Sequence, residues 1–192
     1  MMRNGKAVFI AGCMLIVLSL LLLLLLWVQM KQAERINAGI VDTMESVLVC
    51  RTEGTQDPTQ TTEMPALELH DEDFIALLEI PSYGLQLPVC STWDKGKVLS
   101  YPCRFCGSVY NGTLVIGGYD HPGQFDFCDS IPNDTVVKVT DMTGCTFSYV
   151  VDDIERSASA PAEVLIDDTA DLTLFVRDAQ LLEYIILRCV VK

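Results

Sequence analysis

Histidine is nearly absent from this chain: its 192 residues include two, His70 and His121. The one C-x-x-C, Cys103-Arg104-Phe105-Cys106, has no second copy. A zinc site on it would need two further ligands, so neither a metal centre nor a dithiol redox centre is expected. Basic residues are also scarce, 13 against 26 acidic, and they form no patch, which argues against a nucleic-acid partner. Internal repeats are missing, which excludes solenoids and propellers. The carboxylates Asp126, Asp129, Asp167 and Asp168 are scattered without the spacing of a calcium loop, so no calcium is expected. No cofactor motif is present.

One long hydrophobic run is present. Ala7 to Val28 is uncharged and spans 22 residues, with Leu20 to Leu26 unbroken. About 20 such residues cross a bilayer core as a helix. Arg3 and Lys6 precede it, which predicts a cytoplasmic N-terminus. The run exceeds a cleavable signal's apolar region, and Trp27-Val28-Gln29-Met30-Lys31 offers no small-x-small site. The expectation is an uncleaved signal-anchor over residues 1–28, with the rest outside the cytoplasmic membrane. That remainder carries 26 acidic and 11 basic residues, a net charge of −15. It would be repelled by anionic lipid.

Eight cysteines are present, seven of them after the run: Cys50, Cys90, Cys103, Cys106, Cys128, Cys145 and Cys189. An odd number cannot all pair within one chain. Their scatter through strand-like segments reads as small buried hydrophobes rather than a disulfide framework.

Ile36, Ile40, Met44, Val47 and Leu48 recur near helical period within residues 29–50, predicting an amphipathic helix that docks on the domain or on the membrane surface. Residues 51–66, rich in Thr, Gln, Pro and Glu, read as a linker. A globular domain follows over residues 67–192. Phe74 to Val89 predicts two strands around Pro81-Ser82-Tyr83-Gly84. Leu114 to Gly117 predicts a buried strand after the Asn111-Gly112 turn. Thr135 to Thr140 and Cys145 to Asp152 predict a hairpin about Asp141-Met142-Thr143-Gly144. Leu172 to Val176 and Tyr184 to Val191 supply two more strands. Short strands so spaced predict a mainly β architecture, a closed or nearly closed barrel of seven or eight strands with short helices.

Thr113-Leu114-Val115-Ile116-Gly117-Gly118-Tyr119-Asp120 and Asp171-Leu172-Thr173-Leu174-Phe175-Val176-Arg177 carry a resemblance. They resemble the histidine strand ("VIxxHN") and the nucleophile strand ("LTLxTC") of sortases, the membrane-anchored cysteine transpeptidases of Gram-positive bacteria. Further segments agree in order over roughly residues 74–192. Leu78-Glu79-Ile80-Pro81 with Leu87-Pro88-Val89 resembles the first strand pair. Pro102-Cys103-Arg104-Phe105 and Gly107-Ser108-Val109-Tyr110 resemble the stretch before the histidine strand in small clostridial-type, class B- or D-like members. Gln124-Phe125 follows the histidine position, Asp134-Thr135-Val136-Val137 stands at "GD-x-V" with Asn133 in place of glycine, and Arg188-Cys189 matches a C-terminal pair. The Glu155-to-Ala170 connection is too short for the long inserted helix of some class B members.

The resemblance implies three catalytic groups: a cysteine that forms a thioester, a histidine that transfers protons and an arginine that stabilises the oxyanion. In this chain the cysteine position holds Arg177, the histidine position Tyr119 and the arginine position Tyr184, with Glu183 adjoining it. A guanidinium has no nucleophilic lone pair at neutral pH, and a phenol with a pKa of about 10 is a poor base. Possible substitutes are His121, two positions past the histidine site and before Pro122-Gly123, and the thiols of Cys106 and Cys128. Asp120, Asp178 and Glu183 are candidate charge partners for Arg177 in the cleft. The expectation is a catalytically inactive sortase-like protein that binds sorting-signal peptides, pilin-like proteins or an active sortase. The alternative is an active cysteine transpeptidase with relocated residues.

Overall fold

The computed structural model describes residues 12–24, 39–48, 63–166, 169–178 and 182–192. The chain divides into two units, Met1–Ala38 and Gly39–Lys192. In the first, residues 12–24 form a helix whose side chains are exposed. Among the described residues no helix is long and apolar enough to cross a membrane. The ends of the 7–28 run, residues 29–38 and most of the 51–66 segment lie outside the described residues.

The described residues of the second unit form nine strands: β1 (Leu67–Leu69), β2 (Glu72–Ile80), β3 (Leu85–Cys90), β4 (Cys103–Cys106), β5 (Leu114–Tyr119), β6 (Val136–Asp141), β7 (Thr146–Ser157), β8 (Leu172–Arg177) and β9 (Tyr184–Val191). They neighbour one another in the order β1-β2-β3-β4-β5-β8-β9-β7-β6, and β2 also pairs with β6. That last pairing closes β2 through β9 into an eight-stranded barrel, with β1 as an added hairpin arm on β2. The β3–β4 and β5–β8 pairs are parallel and the others antiparallel. Closure leaves no free edge in the ring.

The local chemistry accounts for the turns. His70 and Asp71 join β1 to β2 with φ of 53° and 65°, the left-handed pair that a two-residue hairpin loop requires. Pro81 opens a 3-10 turn, and Gly84 ends it at φ 60° before β3. Asp141, fully buried, accepts from the N–H groups of Thr143 and Cys145, from the Thr143 hydroxyl and from the Tyr110 hydroxyl at 2.6 Å. These bonds fix the β6–β7 turn and offset the cost of burying a carboxylate.

Alternation along the strands sorts the side chains into two faces. Leu78, Ile80, Leu87, Val89, Leu114, Ile116, Leu172, Leu174, Val176, Ile185 and Leu187 fill the barrel interior. The outer face is covered twice. Residues 39–48 form a helix that packs Ile40, Val41, Met44 and Leu48 against Phe74, Leu77, Cys90, Val98, Cys103 and Met142. Of the two surfaces open to an amphipathic helix here, this one occupies the domain. A second outer cluster holds Val115, Leu165, Phe175 and Ile186 under Trp93, Phe105, Cys106 and Tyr184.

Candidate functional site

The site grows out of strand register. At the end of the parallel β5–β8 ladder Tyr119 stands opposite Arg177. Across the antiparallel β8–β9 ladder Arg177 stands opposite Tyr184. The β7–β9 ladder continues the row to Ser157. Directly opposed residues project to the same side of a sheet, and the neighbours Val176 and Ile185 point into the barrel. The phenol, guanidinium, phenol and hydroxyl therefore form one row on the outer wall. Arg177 is exposed and Tyr119 is 40% exposed.

The next row inward is Gly117, Phe175 and Ile186. Trp93, Phe105 and Phe175 form an aromatic trio there, with ring centroids 5.4–5.8 Å apart. Gly117 has no side chain because the trio occupies its place: a Cβ would lie 2.3 Å from Trp93 Cζ3 and 2.5 Å from Phe175 Cζ. Phe105 sits at an irregularity in β4 between Arg104 and Cys106. Such a bulge re-aims a side chain. One row further on, Arg188 is 6% exposed and donates to the Thr173 hydroxyl, the carbonyls of Leu165 and Val164, and both oxygens of Glu155. It ties the one-turn helix Ala162–Leu165 to the barrel wall.

The loop after β5 folds back on the strand end. Gln124, 1% exposed, accepts from the Tyr119 N–H through Oε1 and donates through Nε2 to the Val98 carbonyl at 3.2 Å. His121 lies in this turn with its ring 5.8 Å from that of Tyr119. Its Nδ1 is 2.7 Å from the Pro122 carbonyl and its Nε2 3.3 Å from the Leu99 carbonyl. Both ring nitrogens thus face backbone oxygens.

The candidate thiols fall elsewhere. Cys106 pairs with Val115, four residues before Tyr119 on β5, so it stands about 13 Å from the row at about 3.3 Å per residue. Partial burial raises its pKa. Cys128 is buried in the barrel interior, where desolvation holds its thiol well above the usual range. A buried thiol in apolar surroundings is inert. The two cysteines of the C-x-x-C also separate, Cys103 packing under helix 39–48 and Cys106 beside Phe105.

The expected charge partners differ from the structure. Asp178 Oδ2 lies 3.9 Å from Arg156, and among the described residues none is hydrogen-bonded or ion-paired to Arg177. Asp120 and Glu183 are half-buried beside the row. The expectation of a partner assumed a buried cation; an exposed guanidinium is solvated and needs none. Among the described residues no group of three His, Cys, Asp or Glu side chains is placed to hold a metal ion. Asp126 and Asp129 are exposed, and Asp167 and Asp168 lie outside the described residues.

Sequence reasoning missed the aromatic trio and the anchoring role of Gln124. One signal was available: a Gly-Gly pair inside an apolar strand marks a close approach of other groups. Here Gly117 admits Trp93 and Phe175 outside, and Gly118 admits Phe125 inside.

No protein-family model and no curated protein matches the chain. Solved structures do. Sortase C1 from Streptococcus agalactiae is 14% identical with a TM-score of 0.60, over 82% of this chain and 98% of that one. Sortase A from Corynebacterium diphtheriae is 19% identical at 0.56, over 84% and 91%. Sortase C from Clostridium perfringens SM101 is 17% identical at 0.55, over 84% and 94%. The eight-stranded barrel of this chain has the sortase fold.

Proposed function

We propose that this chain is a membrane-anchored sortase-fold protein that binds a sorting-signal peptide at the cell surface and does not transfer it. Residues 1–28 are the signal-anchor with the N-terminus inside, and the barrel faces outward. The exposed apolar side chains of residues 12–24 support an anchor. They have no covering partner among their own unit's described residues, and lipid would supply one.

One observation carries the non-catalytic reading: the row Tyr119–Arg177–Tyr184 contains no thiol, imidazole or second cation. Sortase chemistry needs a thiolate held against a proton donor. The row offers a cation between two phenols instead, suited to a peptide's carbonyls and carboxylate. The aromatic trio beside it supplies apolar contact. Active sortases and pilin-like proteins are further candidate partners.

The test uses the full chain in detergent with a fluorescent LPxTG-type peptide. The expected result is saturable binding without cleavage, transfer or thioester formation. Binding should weaken at least tenfold in Arg177→Ala. Restoring Arg177→Cys, Tyr119→His and Tyr184→Arg together is expected to recover weak turnover, and single reversions none, since the three groups act as one unit. Turnover by the unmodified chain that is lost in Cys106→Ala, Cys128→Ala or His121→Ala would overturn the reading in favour of relocated chemistry.

A further inference from the structure

We propose that Cys90 and Cys103 form a redox modification site, two thiols that the barrel holds opposite one another, ready to close into a disulfide between β3 and β4. Cys90 and Cys103 are the single register pair of the parallel β3–β4 ladder. The Cys90 N–H donates to the Pro102 carbonyl at 2.9 Å, and Arg104 Nε donates to the Ser91 carbonyl at 2.9 Å, so the backbones are held on both sides of the pair. Opposed residues of neighbouring strands project to the same side, with Cα atoms about 4.8 Å apart from strand spacing alone. Disulfides accept about 4.4–6.8 Å. Both side chains lie in the cluster beneath helix 39–48, at 1% and 0% exposure.

The surroundings distinguish this pair from the other cysteines. The Cys103 thiol donates to the Tyr101 carbonyl at 3.4 Å, and the closeness of the two sulfurs raises the pKa of Cys90 and lowers that of Cys103. Of the two, Cys103 is therefore the more acidic thiol and the first nucleophile, reached by an oxidant when helix 39–48 lifts from the cluster or before it docks during refolding. It attacks one sulfur of a small-molecule disulfide, forming a mixed disulfide and releasing one thiolate. Cys90 then loses its proton and attacks the Cys103 sulfur, releasing the second thiolate. Two electrons pass to the oxidant and the cysteine pair is left two hydrogens lighter.

The bond would close residues 91–102 into a loop. That loop carries Trp93 of the aromatic trio and the Val98 and Leu99 carbonyls that receive Gln124 and His121. Oxidation would thus fix the wall next to Tyr119, and reduction would release it. The proposal stands apart from peptide binding: a chain that bound no peptide would leave it intact.

The test treats the full chain in detergent with glutathione disulfide, once on the folded chain and once during refolding from urea. Free thiols are then blocked and tryptic peptides mapped. Lys97 separates the two cysteines and Arg104 separates Cys103 from Cys106, so the link appears as one joined peptide pair. The expected result is that pair, lost on reduction, with a melting temperature roughly 5–10 °C higher in the oxidised chain. Cys90→Ser should instead trap glutathione on Cys103. Separate blocking of Cys90 and Cys103 after both treatments, or a link from either to another cysteine, would overturn the proposal.

Discussion

Two arginines on the same outer wall have opposite lives. Arg188, opposite Thr173, is buried, and its guanidinium donors are met by two carbonyls, a hydroxyl and a carboxylate. Arg177, four residues further along β8 from Thr173, is exposed, with no described residue bonded to it. A buried guanidinium survives only where its donors are matched, because an unmatched charge in an apolar setting is prohibitive. An exposed one in water costs nothing and fixes nothing. The difference separates what the fold needs from what the fold presents: Arg188 is a tie in the wall, and Arg177 is free to meet a ligand.

The sharpest way to break that contrast is Arg188→Met. The carbonyls of Val164 and Leu165 and the Thr173 hydroxyl would lose their donor beneath the Ala162–Leu165 turn. The half-exposed pairing with Glu155 adds little, since solvent screens it. A loss of about 3 kcal/mol is expected from the orphaned groups, read as a lower denaturant midpoint at unchanged slope. A loss no larger than that of Arg177→Ala would erase the distinction.

Gly117→Ala comes next. Its Cβ would enter the space of Trp93 and Phe175 within 2.3–2.5 Å, and both are large rings packed by neighbours. Overpacking of this kind costs about 1–3 kcal/mol. Near-ultraviolet circular dichroism of Trp93 should change with it. Unaltered stability and spectrum would show that the trio is loosely held.

Legibility in the sequence follows the same division. The strands with clear alternation or apolar runs, β2, β3 and β5 to β9, are readable, and their spacing together with the ordered resemblance implies closure into a barrel. β4 is four residues, Cys-Arg-Phe-Cys, bent by a bulge, with too little period to declare itself. β1 is three residues. The grouping of Tyr119, Arg177 and Tyr184 at one site comes from the resemblance alone, because period within a strand says nothing of register between strands. The partner sought for Arg177 failed for want of a burial value, which no sequence supplies. The aromatic trio joins Trp93, Phe105 and Phe175 from three separate segments, a convergence set only by closure.

Thiol chemistry sharpens the contrast between wall and surface in a graded way. Burial pushes Cys189 up to about 12 from the usual 9.0, and Cys128 is also raised by burial. A raised thiol pKa means less thiolate at any pH below it, so both should resist iodoacetamide at pH 8 in the folded chain. Among the described thiols of the barrel, half-buried Cys145 should react first and Cys106 more slowly. The same shift favours the folded state while the Cys189 thiol stays protonated. That contribution is present below pH 9 and is lost as pH rises through about 12. Peptide mapping after timed alkylation reads the order, and early labelling of Cys128 or Cys189 would contradict their burial.

The smallest stability effect belongs to Arg177→Ala. The side chain is exposed and bonded to no described residue, so its removal should change unfolding free energy by less than about 0.5 kcal/mol. Tyr119 and Tyr184 remain in register, because the ladder is made by backbone bonds on both sides of β8. What the substitution removes is the single cation of the row, flanked by two phenols and set in a strongly acidic chain. An anionic group of a peptide meets a fixed positive charge there, or only phenols once it is gone. Parallel measurement of denaturant midpoint and peptide affinity in this variant separates the two roles. Unchanged stability with weakened binding is the expected pair. A large loss of stability would place Arg177 with Arg188 as part of the wall, and unchanged affinity would move the binding site away from the row.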